Sequence, residues 1–356
     1  MTRQESANTV RNGAVDALRG VAIIAVVLGH ANIGVVSAGL TVGEDAQFFS
    51  TLNIALYLVH MPLFAFLMGL SMPVAWEKRP HPQYLLQRVV FFGWLYLLWT
   101  LIQGSFEVLA SRFQHGNKTT ISDVLSPWVP IAHLWFLPWA MIVSLLILGT
   151  QPWKKRPLSL IVGVLTLAIS SGMWGVDGDL FFTRGMALLI FTLVGAVTGM
   201  ERFSRWIQGF SAIKAGLLIS SWAVYLGILI LHIPNERPTT SDGFRSLATV
   251  GTGILASIAG ITAIILTISL IYRLCTVKWL EYLGRMSLQI FLAHLLFTPA
   301  TRIMLIKLGI TDPFFVDGLA TTAGICGALL LFLVTRNRLP WLFQPPRQLM
   351  LSILQK

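Results

Sequence analysis

About ten apolar segments of bilayer-crossing length follow one another along this chain of 356 residues, and mostly short polar connections separate them. Charged residues make up only 12% of the chain, about half their share in a soluble domain. Backbone polar groups inside a bilayer must be satisfied internally, and a helix does this within one segment. The sequence therefore predicts an all-α, polytopic integral membrane protein with about ten transmembrane helices in one bundle.

The predicted spans divide the chain into a membrane domain with a short polar tail at each end. We expect an N-terminal tail over 1–13, a transmembrane domain over 14–335 and a C-terminal tail over 336–356. The spans are 14–37, 51–75, 82–112, 131–150, 157–176, 181–200, 212–232, 244–273, 282–307 and 313–335.

The net charge of +11 comes largely from lysines and arginines in alternate connections. Basic residues concentrate in cytoplasmic loops of membrane proteins, so this asymmetry predicts that both tails are cytoplasmic. The same charge in a soluble protein would indicate a nucleic-acid ligand. Here topology explains it, and we expect the lipid bilayer rather than nucleic acid as the partner, with an anionic ligand at the basic face left open.

The first apolar segment contains three ionisable residues, Asp16, Arg19 and His30. Arg19 and His30 are eleven residues apart, which on a helix is three turns plus about 20°, and Asp16 is about 40° from His30. All three therefore face one side, with His30 about 16 Å along the helix from Arg19. Charges within a bilayer usually line a polar interior or a substrate path, so this stripe is the strongest candidate for a functional site.

Other polar residues are more ambiguous. Arg88, near the start of the third span, could contact lipid headgroups or act with Arg19 as a clamp for phosphates. Four more could contact a ligand, yet each has an ordinary structural explanation as a kink, belt or helix-end residue: His60, Trp135, Arg184 and Glu107.

The sequence lacks phosphate-binding loops, dinucleotide-binding glycine motifs, nucleophile elbows and the usual Cys/His metal spacings. Cys275 and Cys326 lie in or beside apolar segments, and we interpret them as packing residues. The pattern thus predicts neither a covalent nucleophile nor a metal cofactor.

Four stretches, taken in order, resemble the membrane-bound acyltransferase 3 family. The first runs from Asp16 through Arg19 to His30, and the others are residues 60–69, 134–138 and 284–294. The similarity extends over nearly the whole chain, and a ten-span core is also what the family resemblance implies.

The resemblance implies that the protein transfers an acyl group, most often acetyl, from cytoplasmic acyl-CoA to a hydroxyl of a cell-envelope polysaccharide or glycolipid. It implies a place in the cytoplasmic (inner) membrane of a bacterium. His30 matches the family's essential histidine, which we expect to act as general base. Arg19 matches the arginine that precedes it, and we expect Arg19 and Arg88 to bind the donor. We expect Asp16 to belong to the catalytic site with His30 and to pair with Arg19.

The chain departs from the family at Phe91, where members commonly have a second arginine three residues after the one at Arg88, and at Met68, where many have serine. Two other functions therefore stay open. One is a transporter or flippase of a lipid-linked sugar, which ten spans with intramembrane charge would also suit. The other is a non-catalytic member of the same fold that binds acyl-CoA.

Overall fold

A computed structural model describes residues 13–78, 81–110, 119–178, 180, 183–240 and 245–354. The predicted N-terminal tail therefore lies almost wholly outside the described residues. Those residues are mostly helical and contain no β-strand, which confirms the all-α prediction.

Fourteen α-helices form the described chain, and short 3-10 turns precede or follow some of them. In order they are α1 (Gly13–Ser37), α2 (Gly43–Glu77), α3 (His81–Ala110), α4 (Ile121–Val124), α5 (Phe136–Thr150), α6 (Arg156–Gly172), α7 (Leu189–Thr198), α8 (Met200–Gln208), α9 (Ala212–Ile230), α10 (Leu247–Leu274), α11 (Lys278–Arg285), α12 (Ser287–Lys307), α13 (Pro313–Thr335) and α14 (Arg347–Leu354).

Eight helices of the described chain are long and apolar enough to cross a membrane, so the polytopic prediction is confirmed. The predicted count of ten is approximate. The span predicted over 181–200 is instead the pair α7 and α8, which bends by 82° and would make a ninth crossing. The span predicted over 157–176 is the 17-residue α6, which is short for a full crossing.

Helix α1 lies at the centre of the bundle and packs against α2, α11, α12 and α13. Its contact with α11 depends on two glycines. A β-carbon on Gly20 would lie 2.2 Å from the carbonyl oxygen of Leu280, and one on Gly284 would lie 1.7 Å from that of Asp16. Backbone atoms of the two helices therefore touch directly, a contact that only small residues allow.

A second close crossing joins α2 and α7. A β-carbon on Gly69 would lie 2.1 Å from the carbonyl oxygen of Thr192, and one on Gly195 would lie 2.2 Å from that of Phe66. Gly69, the last residue of the family-like stretch 60–69, therefore serves the packing of α2 against α7.

The segment after α13 packs against α3. The indole N–H groups of Trp94 and Trp99 donate to the backbone carbonyls of Trp341 and Leu342 over 2.8 and 2.7 Å. The region predicted as a C-terminal tail is therefore in part attached to the helix bundle.

Candidate functional site

Three histidines from separate parts of the chain meet beside α1. His30 lies on α1, His133 in the 3-10 turn before α5, and His294 on α12. Their ring centroids are 5.4 Å apart for His30 and His133, 5.3 Å for His30 and His294, and 4.7 Å for His133 and His294. We call these residues the histidine trio.

The backbone is irregular where His133 joins the trio. The preceding residue, Ala132, has a φ of +46°, and a 3-10 turn over Ala132–Trp135 leads into α5. Non-helical backbone at membrane depth is tolerated where it is buried in protein or lines a cavity. This break turns the imidazole of His133 toward α12, where its ring centroid lies 4.5 Å from that of Phe291.

Backbone carbonyls determine which ring nitrogens of His133 and His294 carry hydrogen. His133 Nε2 lies 2.7 Å from the carbonyl oxygen of Phe291. His294 Nδ1 lies 3.0 Å from that of Ile290 and 2.9 Å from that of Phe291. Because a carbonyl oxygen only accepts, each of these nitrogens must be the donor.

The opposite nitrogens, Nδ1 of His133 and Nε2 of His294, are therefore lone-pair acceptors in the neutral rings. Both are buried and have no hydrogen-bond partner among the described residues. Buried acceptors of this kind are rare in folded proteins, and a water, ion or ligand beside them would satisfy them.

His30 lines a cavity of about 270 Å³ that opens near the Ser37 end of α1. Glu107 from α3 and Arg302 from α12 line the same cavity. The Thr119 hydroxyl donates to the Glu107 carboxylate over 3.3 Å. A polar molecule entering the cavity would thus meet an acid, a cation and an imidazole.

The Gly13 end of α1 carries the other members of the predicted stripe. The Arg19 guanidinium lies 3.2 Å from the Asp16 carboxylate; Asp16 is buried, and the Arg19 side chain is 27% exposed. Nearby, Arg285 lies 3.6 Å from Glu281, which also accepts a 2.9 Å hydrogen bond from the Tyr272 hydroxyl. Two arginine–carboxylate pairs, one on α1 and one on α11, therefore lie near this end of α1.

Arg88 is carried by a helix whose main packing partner differs from those of α1, which carries Arg19. The Arg88 guanidinium is over the rings of Tyr84 and Phe92, at 5.6 and 5.2 Å from their centroids. It is carried by α3, whose main packing partner is α5, whereas α1 packs chiefly against α2, α11, α12 and α13. A joint phosphate clamp of Arg19 and Arg88 stays a prediction.

Two of the weaker candidates, Trp135 and Arg184, contact each other. The Arg184 guanidinium lies 5.9 Å from a Trp135 ring centroid and 3.1 Å from the Asp177 carboxylate. Gly185, with a φ of +87°, lets this loop approach, since a β-carbon there would lie 2.4 Å from the Trp135 ring. Trp135 is two residues from His133, so this pair adjoins the trio along the chain.

The remaining weaker candidate, His60, is buried on α2 and hydrogen-bonds the carbonyl of Leu56 in its own helix over 2.5 Å. Its ring also contacts that of Tyr57, with centroids 4.8 Å apart. This environment gives one ring nitrogen of His60 a partner within its own helix, and its contact with a ligand stays a prediction.

Sequence reasoning did not select His133, His294 or Arg302 as site residues. The available signal was their position: each is ionisable and lies within or beside an apolar segment, where such residues usually serve function. His133 and His294 also lie in or next to stretches that carry the family resemblance.

Comparison with known proteins agrees with that resemblance. A family model described as an acyltransferase domain, that of the acyltransferase 3 family, matches residues 12–336, nearly the whole chain. No curated protein and no solved structure matches the chain. Since the match includes α1 and the whole histidine trio, the protein belongs to the acyltransferase 3 family and is a membrane acyltransferase.

Proposed function

We propose that this membrane acyltransferase moves an acyl group, acetyl in the first instance, from cytoplasmic acyl-CoA to a hydroxyl of a cell-envelope carbohydrate or glycolipid. The observation that carries the proposal is the arrangement of α1. His30 faces a cavity near the Ser37 end, and Arg19 is partly exposed toward the Gly13 end. The acceptor can thus reach the imidazole through this cavity, and we propose that the donor approaches it from the Gly13 end of the same helix.

On the donor side, Arg19 offers charge to the phosphates of acyl-CoA while Asp16 holds its guanidinium. An extended pantetheine arm spans on the order of 15–20 Å, comparable with the rise of about 16 Å between Arg19 and His30. Arg88 would add a second cation from α3. The basic connections predict that this end of α1 is cytoplasmic, and the family resemblance implies the inner membrane of a bacterium.

At the reacting centre, His30 acts as general base. It takes the proton of the acceptor hydroxyl as the hydroxyl oxygen attacks the thioester carbonyl. The carbon–sulfur bond then breaks, and the CoA thiolate receives the proton from His30. The thioester supplies the driving force, so the proposed reaction needs no metal.

On the acceptor side, Glu107 and Arg302 line the cavity that leads to His30. Hydroxyl-rich ligands suit this lining because the carboxylate accepts hydrogen bonds and the guanidinium donates them. The Trp135–Arg184 pair adjoins the trio along the chain and offers an aromatic face, and His60 on α2 stays a further candidate contact.

A transfer assay tests the proposal. The full chain in lipid nanodiscs is incubated with radiolabelled acetyl-CoA and an envelope extract, with the His30→Ala variant as control. We expect label in a carbohydrate or glycolipid fraction with the native chain and none with His30→Ala. Label retained on the protein without product would indicate acyl-CoA binding alone, and no retention would favour transport; either result would overturn the proposal.

A further inference from the structure

We propose that the histidine trio is also a binding site for a borderline divalent cation, Zn²⁺ in particular, and that the bound cation inhibits acyl transfer by occupying the lone pair of His30. The binding step is independent of the proposed function. Only the inhibition rests on the proposed function, because it assumes that His30 is the base.

The three side chains have the spacing of a ligand set. One ring nitrogen from each of His30, His133 and His294 can be chosen so that all three lie within 4.8 Å of one another. In a tetrahedral zinc site, Zn–N bonds of 2.0–2.1 Å place the nitrogens about 3.4 Å apart. Closing the site around the metal would bring the nitrogens up to about 1.4 Å closer together.

The hydrogen bonds on the far side of two rings match those of metal-binding histidines. A ligand histidine usually donates its other ring N–H to a carbonyl or carboxylate, which fixes its tautomer and its orientation. His133 donates from Nε2 to Phe291, and His294 donates from Nδ1 to Ile290 and Phe291. The bare nitrogens left over, His133 Nδ1 and His294 Nε2, are the buried atoms without a partner.

The cavity reaches the trio at His30 and offers a path and room for a fourth ligand. Water in that cavity can complete a tetrahedral shell, as it does at zinc sites with three protein ligands. Glu107 lines the same cavity and supplies negative charge, while Arg302 opposes it. Three neutral imidazoles favour Zn²⁺, Cu²⁺, Ni²⁺ or Co²⁺ over Mg²⁺ and Ca²⁺, which prefer oxygen.

Metal binding and base catalysis exclude each other at His30. A nitrogen that donates its lone pair to a cation cannot accept a proton from the acceptor hydroxyl. The cation also fills the space in which that hydroxyl must lie. Zn²⁺ is therefore expected to inhibit, and removal of the metal is expected to restore activity.

Cobalt binding tests the site directly. The full chain in nanodiscs is stripped with a chelator and titrated with Co²⁺, whose visible absorption reports tetrahedral nitrogen ligation. We expect one Co²⁺ per chain, displaced by Zn²⁺, and affinity at least roughly 10-fold weaker in His133→Gln and His294→Gln. Thermal melting checks that both variants fold.

His60→Gln is the matched control for binding, because His60 is also buried and hydrogen-bonded to a backbone carbonyl but lies outside the trio. Its cobalt spectrum is expected to be unchanged. Absence of a tetrahedral spectrum in the native chain, or an unchanged affinity in both trio variants, would overturn the site.

Zinc titration of the transfer assay tests inhibition separately. Zn²⁺ should inhibit the native chain reversibly, and half-inhibition in the two trio variants should need at least roughly 10-fold more Zn²⁺. Activation by Zn²⁺ would overturn the inhibitory role. A native chain that binds Co²⁺ but transfers no acyl group would refute the proposed function and the inhibition with it, while the metal site would stand.

Discussion

The guanidinium of Arg302 lies across Gly34, one turn of α1 beyond His30. A β-carbon built on Gly34 would lie only 1.7 Å from Nη1 of Arg302. Arg302, Gly34 and His30 line the same cavity. Because Gly34 has no side chain, Arg302 of α12 can lie along α1 close to His30. Arg302 and His30 together form one wall of the proposed acceptor path.

Gly34→Ala should weaken acceptor binding without unfolding the protein. The added methyl group collides with the end of a flexible side chain, which can move away, so the main effect is displacement of Arg302. Loss of a charged hydrogen bond of about 1.5 kcal/mol would raise the KM for the acceptor roughly 10-fold. Transfer kinetics and thermal melting measure the two effects.

Gly29→Ala is the control for this change on the same helix. A β-carbon there would meet its nearest atom, in the Tyr57 ring, at 3.6 Å, an ordinary contact distance. Its acceptor KM should match that of the native chain. An unchanged KM in Gly34→Ala would remove Arg302 from the acceptor site.

His30→Ala should abolish transfer and leave donor binding intact. A general base contributes typically 10²–10⁴-fold to a rate, and kcat should fall by that factor. The acyl-CoA affinity, measured by equilibrium binding of radiolabelled acetyl-CoA, should stay within about twofold because the phosphates are bound elsewhere. A variant that keeps a tenth of the native kcat would contradict the assignment of His30 as base.

Helices and their order could be predicted from the sequence because the apolar segments have the length that a bilayer requires. The first predicted span, 14–37, differs from α1 by one residue at its start. The stripe of Asp16, Arg19 and His30 was also predictable, since residues on one helix have a fixed angular relation.

The histidine trio could not be predicted in this way, because its members are 103 or more residues apart in sequence and meet only through packing of α1, α12 and the turn before α5. Ala132 has a positive φ, which directs His133, but alanine is not a residue type that predicts a turn or a positive φ from sequence. Likewise, the bend of 82° between α7 and α8 depends on Gly199, which an apolar pattern alone does not distinguish from the middle of a span.

Arg19→Lys should weaken donor binding while leaving kcat nearly unchanged. Lysine keeps the charge but loses the planar fork that can contact Asp16 and a phosphate at the same time. We expect the KM for acetyl-CoA to rise roughly 10-fold, as for the loss of one charge-assisted hydrogen bond. A transporter would tolerate this substitution better, since it makes no phosphate clamp.

The control for Arg19→Lys is Arg205→Lys. Arg205 lies 3.7 Å from Glu201 in an ion pair whose side chains are 72% and 84% exposed. Exposed pairs of this kind contribute little, so the KM for acetyl-CoA should not change. Equal KM values for the native chain, Arg19→Lys and Arg205→Lys would exclude Arg19 from the donor site.

Gly195→Ala should destabilise the bundle at the crossing of α2 and α7. The new β-carbon would lie 2.2 Å from the carbonyl oxygen of Phe66, and a backbone atom within a helix cannot move aside as a side chain can. The two helices must separate, and overpacking of this kind costs typically 1–3 kcal/mol. The melting temperature in nanodiscs should fall.

Gly163→Ala is the opposite control: a β-carbon there meets nothing within 4 Å, and replacing a mid-helix glycine with alanine stabilises by about 0.5–1 kcal/mol. If both variants melted at the same temperature, the backbone contact between α2 and α7 would not be a source of stability.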